Sequence, residues 1–365
     1  MKPFATSFFV RLLAYGLRPL RKKLGFRSTN VRDVRGRRRS SEHLEIQPAE
    51  HGRFPPAVTL PGQIERAASN YFGDVREYIE YATMTQCSHV ATIASIVHDV
   101  VYDNGYLYKG LSAEHISSLG KPTHRRPRPH RKMLLCSSSA GSRYFGDWLV
   151  ADNLLELLAE RQGIEPLKIL PHMQYPHLQH LTSVLGLREY KDQGPILIEE
   201  LWIIDDSGYN QDKRNRLREL RSRLRENLGS PRDPERFIYL RRGGLCLPGR
   251  ALSNEDEVIE SLRSAGFCII DPSTCTAREV LEKIVGSSAV VGVEGSQMGY
   301  GFLGLREGGL MLTLQPPYHF QSAFRPRCAS VGVDWGFIIG KQDKDGFSID
   351  VSELAEILSP YLNGR

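Results

Sequence analysis

Apolar runs and amphipathic stretches alternate along the second half of the chain. FIYL (237–240), FCII (267–270), AVVGV (289–293) and LMLTL (310–314) are short and almost continuously apolar. Runs of that kind predict strands buried on both faces. Between them lie segments of helical period: SNEDEVIESLRSAGF, with Ser253 or Asn254 as N-cap and three acids in its first turn, then TAREVLEKIVGS, then GSQMGYGFLGL. Strands alternating with helices predict a parallel sheet covered on both sides, so residues 230–318 read as a nucleotide-type α/β domain.

The first half alternates less tidily. VVYDNGYLY sets Asp103-Asn104-Gly105 between β-formers, a hairpin signal. MLLCSSS (133–139) predicts a buried strand, GDWLVADNLLELLAERQG a helix ending at Gly163, and HLQHLTSVLGL a helix stopping near Gly186. ILIEELWIID is strand material, and residues 210–228 form a long charged helix with a narrow stripe of Leu217, Leu220 and Leu224. The polar stretch running to Pro55 and Pro56 reads as linker. At 365 residues the chain exceeds what one core usually supports. The predicted architecture is α/β, two Rossmann-like doubly wound domains facing a central cleft. An arm and linker cover 1–60, an N-terminal domain 61–228, a nucleotide-binding C-terminal domain 229–340, and a hairpin and helix over 341–365 pack across the domains.

Charge changes this picture at one end. The net charge of +6 conceals an asymmetry: residues 1–40 hold twelve Lys and Arg against one acid, Asp33, a net of +11, which leaves the remainder near −5. Phe9, Leu13, Leu17 and Leu20 share a helix face opposite Arg11, Arg18 and Lys22, with Pro19 as an interruption. Such an arm suits an anionic membrane surface, an organellar transit peptide or a disordered basic tail, and the sequence leaves these open. Nucleic acid is not an expected partner, because no aromatic residues interleave the Arg run 35–39. No apolar run approaches the length of a membrane span. Six scattered cysteines without a C-x-x-C pair argue against a zinc ribbon or a disulfide scaffold, and favour reduced thiols in the cytoplasm.

The chemistry concentrates in VVGVEGSQMGYGFLGL. Gly299, Gly301 and Gly304 spell G-x-G-x-x-G, yet the strand ends near Glu294, so these glycines fall inside the following helix and not in the strand–helix turn. No acid lies about 20 residues on, as a dinucleotide fingerprint requires. The turn itself, Glu294-Gly295-Ser296, is more informative. Main-chain N–H groups of Gly295, Ser296 and Gln297 open a helix beyond the carboxyl end of a parallel strand, which suits an anion. Arg241 and Arg242 end another strand at the same edge, and a guanidinium grips phosphate bidentately.

These pieces, with IYLRR, ALSNEDEVIESLRSAGFCIIDP and LMLTLQPP in order, resemble the C-terminal half of glycosyltransferase family 61. YFGDWLVADNLLELL, ILPHMQYPHLQHLTSVLGL and VVYDNGYLY resemble its N-terminal half, so the resemblance spans roughly 75–340. It implies a GT-B arrangement and inverting, metal-independent transfer from a nucleotide sugar, with no cofactor and no metal. It further implies a glycan or lipid-linked glycan acceptor in capsule, lipopolysaccharide or exopolysaccharide assembly, and a cytoplasmic enzyme, peripheral on the inner membrane face if the arm binds lipid. Without a metal, helix-end donors and arginines must stabilise the leaving diphosphate, and a base must take the acceptor proton. The chain departs from the family where histidine is common: Glu294 stands before the glycine loop, and Asp147 stands in FGDWL. Either carboxylate can be the base, Asp147 being favoured. Thr313 stands where an acid often contacts the donor ribose. The rival reading is a catalytically inactive sugar- or nucleotide-binding scaffold, the two acids marking lost catalysis.

Weaker signals have plainer readings. Asp343-Lys344-Asp345 is a D-x-D inside a hairpin turn; His172, His177 and His180 are surface or cleft histidines; Tyr318 and His319 either line the donor pocket or tuck into the core.

Overall fold

The computed structural model describes residues 42–363 apart from 71–72, 111, 118–120, 124, 174, 176, 192, 230–235, 243–249 and 345. The basic arm, Cys246 and Asp345 of the D-x-D lie outside the described residues. The described residues form two compact units.

The first unit comprises 42–49, 90–175 and 188–210. Its sheet is built from β1 (Glu42–Gln47), β2 (Thr92–Asp103), β3 (Tyr106–Lys109), β4 (Ser112–His115), β5 (Arg128–Leu135), β6 (Glu165–Leu167) and β7 (Ile196–Asp205). The order is β4-β3-β2-β7-β5-β6, with β1 also pairing β2. Asn104 and Gly105 have φ of 46° and 83° and close the β2–β3 hairpin, as the sequence predicts. Only β5 pairs in parallel, with β6 and β7; the other pairings are antiparallel. The expectation of a doubly wound first half is therefore corrected to a mixed sheet, because hairpins and not helices join β2, β3 and β4. The expected linker is corrected too. β1 and the strand Glu50–Arg53 occupy it; most of their side chains are polar and exposed, so the alternation that marks a half-buried strand shrinks to Leu44 and Ile46. On β5, Met133 and Leu135 pack with Val97, Val100 and Ile198, while Leu134 and Cys136 pack with Leu158, Ala159 and Trp202. That alternation covers both faces.

The second unit comprises 50–89, 177–187 and 211–363. Strands β8 (Phe237–Leu240), β9 (Cys268–Ile270), β10 (Ala289–Val293), β11 (Leu310–Gln315) and β12 (Asp334–Ile339) form an all-parallel sheet in the order β9-β8-β10-β11-β12. Here the expected parallel sheet is present. Thr276 and Glu279 make a reciprocal capping box that starts the helix Ala277–Ile284. The helix Val351–Leu362 sets Leu354, Ile357 and Leu358 into the core with Val258, Val291 and Leu312. Asp343 N–H donates to Gly346 O at 2.9 Å in the tip between strands Lys341–Gln342 and Gly346–Ser348, so the hairpin reading holds for its described part.

Two buried arginines fasten this unit through main-chain carbonyls. Arg325 is 1% exposed; it donates to the carbonyls of Phe54, Pro55, Tyr81 and Met84, the last being the C-cap of the helix Val75–Thr83. Arg221 donates to the carbonyls of Leu305 and Val331, which cap the helices Gly299–Gly304 and Phe324–Ser330. A cation at a helix C-terminus meets unsatisfied carbonyls and the negative end of the dipole. Arg325→Met should therefore destabilise the protein by about 3 kcal/mol or more, since charged hydrogen bonds are lost and carbonyls stay buried. Thermal unfolding is the check: a midpoint within about 1 °C of wild type contradicts the role.

Candidate functional site

The site grows from the end of β10. Glu294 N–H donates to Leu314 O at 2.9 Å, one ladder step past the strand, so the main chain holds Glu294 at the carboxyl edge of the sheet. Gly292 makes the approach feasible: a Cβ there would lie 2.6 Å from Met298 Sδ and 2.7 Å from Leu240 O. At Gly295 a Cβ would stand 3.1 Å from the Arg242 guanidinium carbon and 2.4 Å from Gln297 Oε1. The turn therefore has no side chain where the arginine arrives.

Two guanidiniums converge on Glu294. Arg242 donates to its main-chain carbonyl; Arg250 donates to the same carbonyl at 3.2 Å and pairs with the carboxylate. His319 Nε2 lies 3.9 Å from Glu294 Oε2. Burial pushes the Glu294 carboxyl up, opposed by Arg250 and Arg242. Burial, followed by the two arginines, pushes His319 down to about 4. Tyr318 precedes it, and its hydroxyl is buried with no protein partner. The cluster can grip a dianionic group and offers one carboxylate, one neutral imidazole and one unsatisfied hydroxyl beside it.

The other sequence candidates divide. Ser296 and Gln297 open the helical stretch 296–304 as expected, and Gln297 Nε2 turns back to Val293 O at 2.6 Å. Gly301 and Gly304 are packing glycines: a Cβ would meet Val290 at 3.2 Å and Ile284 at 2.6 Å, respectively. The G-x-G-x-x-G is thus helix packing, as the sequence argued. Arg241 points elsewhere, pairing with Glu255 at 2.8 Å, which also accepts from Tyr239 Oη at 3.0 Å. Thr313 is fully buried, donating to Gly336 O at 3.1 Å and accepting from Gln315 Nε2 at 3.2 Å. The sheet uses its hydroxyl, so the geometry does not bring Thr313 to the Glu294 cluster. His177 bonds Tyr300 Oη, and no group of three or more His, Cys, Asp or Glu among the described residues is arranged to hold a metal.

Asp147 belongs to the first unit, half-buried at the start of a helical stretch 145–161. No side-chain cap bond starts either the turn Phe145–Asp147 or the next one. Residues Trp148–Asp152 are π-helical, with Asn153 N–H donating to Trp148 O. Such bulges are frequent at functional sites. Sequence reasoning missed Arg250 and Asp152. Arg250 follows a glycine-rich segment with no periodicity. Asp152 had a usable signal, an acid three and four residues after the apolar Leu149 and Trp148 and so on their side of a helix.

The His319 ring gives a direct check. Its folded-state value lies below the ordinary one, so its contribution to stability is full above about pH 6.5 and is lost as the pH falls toward 4. An NMR titration of the ring should show a midpoint near 4, lowered further by Glu294→Gln, which removes the carboxylate that favours the cation. A midpoint in the ordinary imidazole range contradicts the cluster.

Against known proteins, residues 145–302 match the family model described as Glycosyltransferase 61, a segment that contains Asp147, Arg241, Arg242 and Glu294. No curated protein matches the chain. The match supports glycosyltransferase family 61 for this part of the chain and identifies the protein as a glycosyltransferase.

Proposed function

We propose that the protein is an inverting, metal-independent glycosyltransferase of GT-B type. It moves a sugar from a nucleotide-sugar donor to a glycan or lipid-linked glycan in capsule, lipopolysaccharide or exopolysaccharide assembly. The observation that carries this reading is the convergence of Arg242 and Arg250 at the carboxyl edge of a parallel sheet, on the turn Glu294-Gly295. Ligands of open parallel sheets bind beyond that edge, and paired guanidiniums match the geometry of a diphosphate.

In this reading the diphosphate takes Arg250 from the Glu294 carboxylate and also meets Arg242 and the Gly295–Gln297 main chain. Arg241, held by Glu255, steadies the first turn of the helix Glu255–Ser264. In the reaction the acceptor oxygen forms a bond to the anomeric carbon and gives its proton to a carboxylate. The bond from that carbon to the phosphate oxygen breaks, and its electron pair leaves with the nucleoside diphosphate. Inversion follows from one displacement. Asp147 is the favoured base, with Glu294 orienting the donor sugar. Arginines can stabilise the departing charge because a desolvated site strengthens their pull. Residues 1–40 supply the contact with an anionic membrane.

Calorimetry against UDP-, GDP- and dTDP-sugars in excess EDTA tests the reading. One donor should bind, and Arg242→Ala should weaken it by about 10–100-fold, the loss of a charged hydrogen bond. No binding across the panel overturns the proposal. Binding without turnover, unaffected by Asp147→Ala and Glu294→Ala, would show a sugar-binding scaffold instead.

A further inference from the structure

Asp152 lies one widened helical turn after Asp147. It is 3% exposed, and it bonds to the segment that leads into its own helix. Ser138 donates to it twice, from its main-chain N–H to Oδ2 at 3.2 Å and from its hydroxyl to Oδ1 at 2.8 Å. The same hydroxyl accepts from Gly141 N–H at 2.9 Å. A Cβ on Gly141 would stand 2.0 Å from Asp152 Oδ2, so the turn lies directly against the carboxyl group. Tyr175 Oη donates to Gly141 O at 2.9 Å and pins the turn from its other side.

From that turn the chain runs straight to Asp147. Tyr144 N–H donates to Ala140 O at 2.8 Å, and Asp147 N–H donates to Tyr144 O at 3.1 Å. The π-helical stretch then brings residues five apart, Asp147 and Asp152, onto one face, since its hydrogen bonds run i→i+5. We propose that Asp152 is the positioning residue for Asp147: its carboxyl group bolts the 138–144 turn to the helix and so fixes where that helix starts and where Asp147 stands. The inference rests on Asp147 being the base.

The electrostatics suit the role. Burial raises Asp152 to about 7; the Ser138 bonds oppose this, and Asp147 adds to it. The other groups around it are Tyr175, Tyr190 and Cys136, each pushed up by burial and so neutral. Glu156, further along the helix, is paired with Lys168 at 2.6 Å. A protonated Asp152 keeps its Ser138 contacts, because its O–H can donate to the serine hydroxyl, and spares Asp147 a negative neighbour.

The test uses the full chain and the nucleotide-sugar panel above, with turnover, pH profile and folded fraction measured for four variants. Asp152→Ala should lower kcat by about tenfold or more while donor KM stays within about twofold. Asp152→Asn, which keeps the shape and can still bond Ser138, should restore kcat to within about threefold and remove the pH dependence near 7. Ser138→Ala, a milder change in case Asp152→Ala fails to fold, should lower kcat in the same direction. Wild-type kcat in both Asp152→Ala and Ser138→Ala overturns the inference, as does a loss that Asn does not rescue. Asp147→Asn separates the two readings. If it is fully active, the base assignment itself has failed; if it is inactive while the Asp152 and Ser138 variants are normal, only the positioning role has failed. Carbon-13 titration of the carboxyl groups is independent of the substrate: Asp152 should titrate near 7 and shift down in Asp147→Asn. An unchanged midpoint contradicts their juxtaposition.

Discussion

A charge taken out of water must be met by other polar groups, and the way this chain meets each buried charge shapes the molecule around it. Arg325 and Arg221 are met by main-chain carbonyls, most of them at helix ends, so each ties separate elements together. Lys168 and Glu156 meet each other inside the first unit. Glu294 is met by Arg250, with Arg242 on its carbonyl, and Asp152 is met by Ser138. The first three arrangements involve groups with no assigned chemical role and serve the fold. The last two stand at a sheet edge and in a π-helical turn, and in both burial raises a carboxyl group that a substrate or a neighbour can then use.

The division explains how glycine and charge cooperate in the second unit. Gly292, Gly301 and Gly304 let the stretch 296–304 lie close on β10 and on the helix Ala277–Ile284. That closeness sets Glu294 at the strand end, inside reach of two arginines from neighbouring segments. A side chain at Gly295 would meet Arg242. The glycines that spell a cofactor signature therefore serve packing, which helps set the Glu294-Gly295 turn where it lies.

The second unit was largely legible in the sequence because its strands are continuous apolar runs and its helices carry caps and periodic stripes. Phe237–Leu240, Ala289–Val293 and Leu310–Gln315 all fall where the pattern puts them. The first unit was less legible. β1 carries mostly polar, exposed side chains, with only Leu44 and Ile46 in alternation, and a twelve-residue β2 with hairpin partners hides its antiparallel pairing. At the candidate site, residue type and local spacing pointed to Glu294, Arg242 and the turn, which the fold brings together. They could not separate Arg241 from Arg242, because adjacent residues on a strand end point to opposite sides and only the fold says which side faces Glu255. Arg250 arrives from a segment without pattern, so nothing local announced it.

A crystal structure with a bound nucleoside diphosphate tests the central claim most directly. The account expects the diphosphate within hydrogen-bonding distance of both Arg242 and Arg250, with the Glu294 carboxylate released from Arg250 and turned toward the sugar side of the ligand. A diphosphate seated elsewhere, with the Arg250–Glu294 pair intact, would contradict it.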